Sequence, residues 1–170
     1  MNNSWPLCRK GFLLAEKENI LISVHHRHVV RILSGAKQVE LRRRPFRVPP
    51  GTYVWIYSTA PHAVVTAVAT VRAVVSAPPT ALWRRCGGVT GLTRNEFDEY
   101  FSGAELGCAI FLEKIHELPR VVTLAALRKQ STPFHPPQFF KKLHHGSCAL
   151  DLLKESFLGA NRPSQRSLAF

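Results

Sequence analysis

Apolar residues in this chain come in short runs, and polar residues or prolines interrupt them every few positions. Ile20-Leu21-Ile22-Ser23-Val24 is rich in branched side chains and reads as a strand. Over residues 25–33, Val29, Ile32 and Leu33 fall at i, i+3 and i+4, the spacing of an amphipathic helix. Ser34-Gly35 ends that helix, because glycine is the usual residue just past a helix C-terminus. Residues 37–44 then run extended, and Pro49-Pro50-Gly51-Thr52 makes a turn. Strands are expected over 53–58 and 63–75, the second long enough to bend around a barrel. Pro78-Pro79 breaks the chain before a short helix over 80–85, and Cys86-Gly87-Gly88 forms a loop. Thr93 with Glu96 three residues on matches a capping box, opening a helix that carries Phe97, Tyr100 and Phe101 on one side. A strand over 107–115 and a helix over 123–129 follow. A proline-broken loop over 130–138 and an amphipathic helix over 147–158 complete the pattern.

Short strands mixed with short helices, without regular βαβ units, predict an α+β fold with a small barrel rather than a doubly wound sheet. The 170 residues suit one domain with an adequate core. The expected division is an N-terminal extension over 1–18, a single domain over 19–158 and a flexible tail over 159–170.

Charge changes the picture more than composition does. The net charge is +12 and the sequence pI is about 10.2. Residues 90–117 run the other way: Glu96, Asp98, Glu99, Glu105, Glu113 and Glu117 outnumber Arg94 and Lys114, for a local charge of −4. One face or end should be acidic and the rest strongly basic. A basic surface points to nucleic acid as partner; the plain alternative is a basic protein with no dedicated partner. The four cysteines, Cys8, Cys86, Cys108 and Cys148, are widely spaced and signal neither a disulfide framework nor a zinc knuckle. The first residues lack a signal-peptide pattern, and no apolar run reaches the roughly 20 residues of a membrane span. A cytoplasmic protein without membrane contact is the expectation.

Candidate chemistry concentrates after the first helix. Between His25 and Arg47 the bases are Arg27, Arg31, Lys37, Arg42, Arg43, Arg44 and Arg47, and Glu40 is the lone acid. Side chains alternate along a strand, so Glu40, Arg42 and Arg44 share one face, and Val39, Leu41 and Arg43 share the other. Val39 and Leu41 suit the barrel core; Glu40, Arg42 and Arg44 then line a surface cleft. Lys37 has the opposite parity, but a twist at the strand mouth after Gly35-Ala36 brings it to the same cleft. One reading is a pocket in which Lys37 and the arginines hold phosphate and Glu40 accepts a hydrogen bond from a base or sugar. Nearby cations favour the carboxylate form, which makes Glu40 a better acceptor than a base. The other reading is an ion pair of Glu40 with Arg42 or Arg44 that only fixes the strand.

Other groups carry weaker signals. His25 and His28, three apart on a helix, would need a further ligand close by to hold metal, and none is evident. Beside the cleft they read as solvated helix-start residues that can serve as acid or base. His144-His145 invites the same reading, and His62 and His135 are isolated. Tyr53, Trp55 and Tyr57 alternate on one strand, with Tyr57 nearest its end. Phe134, Phe139 and Phe140 flank Pro136-Pro137-Gln138, a loop that either stacks on an unpaired base, with Gln138 reading it, or plugs the barrel. No phosphate-binding glycine loop, dinucleotide fingerprint, zinc-peptidase or serine-hydrolase motif occurs.

Leu33-Ser34-Gly35-Ala36-Lys37-Gln38-Val39-Glu40-Leu41-Arg42-Arg43-Arg44 resembles the signature of ASCH domains, which belong to the PUA-like superfamily of small β-barrels. Further matches follow in order at 54–58, 64–69, 91–103 and 136–140, so the resemblance covers about residues 20–143. It implies that the helix–glycine–Lys37–strand region walls a ligand cleft. In a related bacterial acetylcytidine amidohydrolase the motif resembles Gly-x-Lys-x-x-Thr-x-Arg. Gly35, Lys37 and Arg42 match it, but Glu40 stands where the catalytic Thr would be, which argues against amide hydrolysis. Other ASCH proteins are linked to RNA binding and to single-strand ribonuclease activity. The resemblance therefore implies binding of single-stranded RNA or an exposed nucleotide by Lys37, Glu40, Arg42 and Arg44, with Tyr57 and Gln138 at the margin. If the protein is a ribonuclease, Lys37 and Glu40 are the catalytic candidates. DNA binding and a transcription-regulatory role are the alternatives. No cofactor is signalled, and a divalent metal, though compatible with nuclease chemistry, has no ligand set in the sequence.

Overall fold

Bulges bend the two longest strands, and that bend shapes the molecule. The computed structural model describes residues 17–131 and 133–159. The expected extension and tail therefore lie outside the described residues, apart from positions 17, 18 and 159. The strands are β1 (Asn19–Val24), β2 (Val39–Arg42), β3 (Tyr53–Ser58), β4 (Val64–Ala77), β5 (Gly107–Thr123) and β6 (Lys141–Lys142). The helices are α1 (His26–Leu33), α2 (Pro79–Cys86), α3 (Arg94–Tyr100), α4 (Leu124–Gln130) and α5 (Cys148–Leu158), with a 3₁₀ turn at Gly87–Val89.

The six strands form one sheet in the order β2-β5-β4-β3-β1-β6. Only β1 and β3 run parallel; the other pairs are antiparallel. Register shifts interrupt the β4–β5 ladder three times, between Val65 and Ala67, Val68 and Thr70, and Val71 and Ala73. Each extra residue kinks its strand and adds twist, so the sheet curls into a half-barrel. The fold is the α+β class expected, with helices on the flanks of a small curled sheet.

Residues alternate across the sheet into three apolar clusters. Ile20, Ile22, Val54, Ile56 and Ile110 pack on the inner face with Val29 and Ile32 of α1. Tyr53, Trp55, Tyr57 and Leu118 face outward under Leu127 of α4 and Leu150 and Leu153 of α5. Val39, Leu41, Ala109 and Phe111 face outward under Leu82 of α2 and Phe97 of α3.

Three sequence expectations need correction. Val39 and Leu41 belong to the outer layer, not to the inside of the curl; the alternation is right and the faces are exchanged. Strand β2 stops at Arg42, so Arg43 and Arg44 leave the sheet and are exposed. The reason is its partner: Arg42 already pairs with Cys108, one residue from the start of β5. Strand β5 runs past 115 to Thr123, because Val122 and Thr123 still pair with Val65 and Val64 despite Pro119 and the charges before it. Helix boundaries follow local signals closely. His25 and Thr93 cap α1 and α3, Thr123 and Ser147 cap α4 and α5, and the Thr93–Glu96 capping box is present in both directions. Cys86 and Cys108 are buried free thiols, Cys148 is exposed, and Cys8 lies outside the described residues. Among the described residues no helix is long and apolar enough to cross a membrane.

Candidate nucleotide pocket

Helix α1 ends at Ser34, and Gly35 takes a left-handed φ of 79° that turns the chain toward β2. The turn places Lys37 against the loop after α2. Lys37 N–H donates to Arg31 O at 2.9 Å, and Gln38 N–H donates to Val89 O at 2.9 Å. The loop approaches closely because Gly91 has φ 68° and no side chain: a Cβ there would lie 3.1 Å from Lys37 Cβ and 3.3 Å from Arg31 Cδ. The Lys37 ammonium, only 2% exposed as a residue, donates to Thr90 O at 2.8 Å. Arg31 donates to the carbonyl of Gly91.

Glu40 is 8% exposed. Lys37 Nζ lies 3.5 Å from its Oε2, and Arg42 Nη2 lies 3.2 Å from its Oε1. One buried carboxylate thus bridges two nearly buried cations. Arg42 also donates to Ser23 O at 3.1 Å and stands over the Phe139 ring, 6.0 Å from its centroid. Burial depresses the Lys37 pKa, and the Glu40 carboxylate opposes that shift. Removing one member of such a buried group leaves uncompensated charge, at a cost of about 3–5 kcal/mol.

Above these residues opens a cavity of about 350 Å³ lined by Arg27, His28, Lys37, Glu40, Leu41, Leu92, Glu96, Glu99 and Tyr100. That is at the small end of ligand pockets, which run roughly 300–1,000 Å³. Arg27 pairs with Glu96 at 3.0 Å across the mouth. The Tyr100 hydroxyl donates to Leu41 O at 3.1 Å, which ties α3 to the edge strand. Desolvation lowers the His28 pKa from 6.5 to about 4, assisted by Lys37, so the imidazole is neutral at pH 7. Its Nδ1 is buried with no hydrogen-bond partner.

The structure therefore brings Lys37, Glu40 and Arg42 together, as the strand pattern suggested. Arg44 is exposed beyond the strand and away from the pocket lining. Tyr57 lies in the outer core with Trp55 and Leu150, and burial raises its pKa. Gln138 is exposed, between Pro137, whose carbonyl accepts from Ser23 Oγ at 2.6 Å, and Phe139. Phe139 and Phe140 pack edge-on against Phe46, and Phe134 is buried in the outer core, so these aromatics act as a plug. His62 is not isolated in space: it stacks on His26 at 3.6 Å. Sequence reasoning missed Leu92, Glu99 and Tyr100 as pocket residues, and Thr90 as the carbonyl that holds Lys37. Glu96 was visible as a cap but not as the partner of Arg27. The acidity of 90–117 was the available signal, since α3 supplies the acidic wall. The cleft is consequently not uniformly basic. Among the described residues no group of three or more His, Cys, Asp or Glu is arranged to hold a metal.

Fold and site together define a curled-sheet domain with a small polar pocket between its first helix, its edge strand and α3. No protein-family model matches the chain. It is 32% identical over 125 residues to the ASCH domain-containing ribonuclease of Zymomonas mobilis, spanning 74% of this chain and 84% of that protein. The crystal structure of ASCH from Zymomonas mobilis superposes with a TM-score of 0.74 at 29% identity, over 80% of this chain and 94% of that one. A serine-to-alanine variant of the Zymomonas protein gives a TM-score of 0.75 at 28% identity, over 82% and 97%. The chain belongs to the ASCH domain family.

Proposed function

We propose that this protein binds single-stranded RNA by admitting one unpaired nucleotide to the pocket over Lys37, Glu40 and Arg42. The observation that carries this reading is the buried carboxylate held between two cations at the edge of a nucleotide-sized cavity. A structural ion pair needs no cavity beside it, and a duplex does not fit in 350 Å³. Arg44 and Arg47, exposed beyond the strand, would contact phosphates, and Gln138 would lie on the Arg42 side of the path. Tyr57 has no part in this reading, because it is buried under α4 and α5. The similarity to a protein named as a ribonuclease supports RNA as the partner.

Strand cleavage at the same pocket is the second reading. It is favoured by His28, a neutral imidazole with an unpartnered buried nitrogen, and by the relative's name. Arg27 Nε donates to His28 Nε2 at 3.3 Å, so the free Nδ1–H can donate to the phosphate, and Nε2, once released from Arg27, can take the proton of a ribose 2′-hydroxyl. The test for both uses labelled single-stranded and duplex RNA and DNA of matched sequence, with and without divalent metal, read for binding and for cutting. Salt-dependent binding of single-stranded RNA without cutting supports the first reading. Cutting that disappears in His28→Ala supports the second. No interaction with any of the four overturns both.

A further inference from the structure

The charge inside the pocket separates the two parts of a nucleotide. The lining cations Arg27 and Lys37, together with Arg42 paired to Glu40 from outside the lining, are matched by three carboxylates, Glu40, Glu96 and Glu99. Arg27 is paired with Glu96, and both Lys37 and Arg42 with Glu40. Glu99 forms no ion pair among the described residues. A phosphate brought inside would meet no surplus positive charge. The remaining walls, Leu41, Leu92 and the exposed Tyr100 ring, are suited to a flat, partly apolar group. A nucleobase belongs in this space, and the phosphates belong outside it.

The polar floor also selects among bases. A donor, Lys37 Nζ, stands 3.5 Å from an acceptor, Glu40 Oε2, close enough for the two to engage adjacent groups on one base edge. Acceptors are in surplus: the spare lone pairs of Glu40 and the Glu99 carboxylate. Guanine alone presents two adjacent N–H donors, N1–H and N2–H₂, beside an acceptor, O6. A carboxylate held rigid by two cations is a suitable partner for that donor pair, since a fixed acceptor loses little freedom on binding.

We propose that the pocket takes a guanine base, with O6 on Lys37 and the N1–H/N2–H₂ pair on Glu40. The inference rests on the RNA reading above and specifies its ligand. The test uses labelled single-stranded RNA 9-mers of adenosine and uridine that differ only at the central position, which is guanosine, inosine, adenosine, cytidine or uridine. Binding is read by anisotropy and cutting by gel for the same oligonucleotides. Guanosine is expected to be preferred about tenfold over adenosine, cytidine and uridine. Inosine, which keeps O6 and N1–H but lacks the 2-amino group, should lose a large part of that preference. Equal behaviour of all five overturns the guanine assignment while leaving RNA binding in place. Preference for another base overturns it as well. No interaction with any oligonucleotide removes both. Glu40→Gln should erase the preference, and because the five oligonucleotides are compared on the unaltered protein, the test does not depend on that variant folding.

Discussion

Polar atoms are buried under α4 and α5 and again beside α1 and α3, with opposite results. Under α4 and α5, Trp55 is fully buried and its Nε1–H donates to Asn19 Oδ1 at 3.0 Å. Donor and acceptor match one to one, and apolar residues seal the pair from both sides. Beside α1 and α3, Lys37 and Glu40 are also buried, but they border a cavity, with the half-buried Arg42 behind Glu40, and His28 Nδ1 and Arg42 Nε are left without partners. The first arrangement completes a core. The second leaves hydrogen-bonding capacity next to empty space. Burial alone does not distinguish a structural polar group from a functional one; unspent capacity beside a cavity does.

Several measurements would break or sharpen this contrast. The largest effect is expected for Trp55→Ala, which removes a fully buried indole and orphans Asn19. It should lower stability by about 3–5 kcal/mol in chemical denaturation, while the folded fraction keeps its RNA affinity. Glu40→Ala should cost about 3 kcal/mol by leaving Lys37 and Arg42 unpaired, and it should also abolish RNA binding. The double variant Lys37→Met with Glu40→Leu sharpens the point: it should recover the part of the stability lost through Lys37, with Arg42 still unpaired, and none of the binding. If binding survived there, the pocket would not be the RNA site.

The pH effect comes next. His28 titrates near 4 in the folded protein and near 6.5 when unfolded. The unfolded chain therefore binds the extra proton first as pH falls. Stability from the neutral imidazole is complete above pH 6.5 and declines progressively toward pH 4. His28→Asn should flatten the slope of the denaturation midpoint across that window. The smallest effect is expected for Arg44→Ala. It should leave stability unchanged, weaken RNA binding a few-fold and lower the salt slope by about 1. An unchanged slope would remove Arg44 from the phosphate path.

The local elements were legible in the sequence because their causes are local. Thr93 and Glu96 cap α3 through contacts three residues apart, and Gly35 ends α1 because its left-handed φ disfavours a side chain. The 33–44 segment likewise carried both the family and the grouping of Lys37, Glu40 and Arg42, since all three lie within six residues. Strand alternation paired Glu40 with Arg42 but did not say which face is inside, because both faces of β2 are covered. That choice depends on where α2 and α3 pack.

The rest was decided by tertiary structure. Thr90, which holds the Lys37 ammonium, and Tyr100, which lines the pocket, come from a loop and a helix more than 50 residues beyond Lys37, and only the folded chain brings them there. The basic charge count alone favoured a uniformly basic cleft; packing of α3 against α1 instead set Glu96 and Glu99 opposite Arg27 and Lys37. The sequence by itself determined the elements, the family and the central charged trio, because caps, periodicity and short spacings act over a few residues. Which side of the sheet holds the trio, and whether it faces a cavity, was settled by long-range packing, which no local pattern encodes.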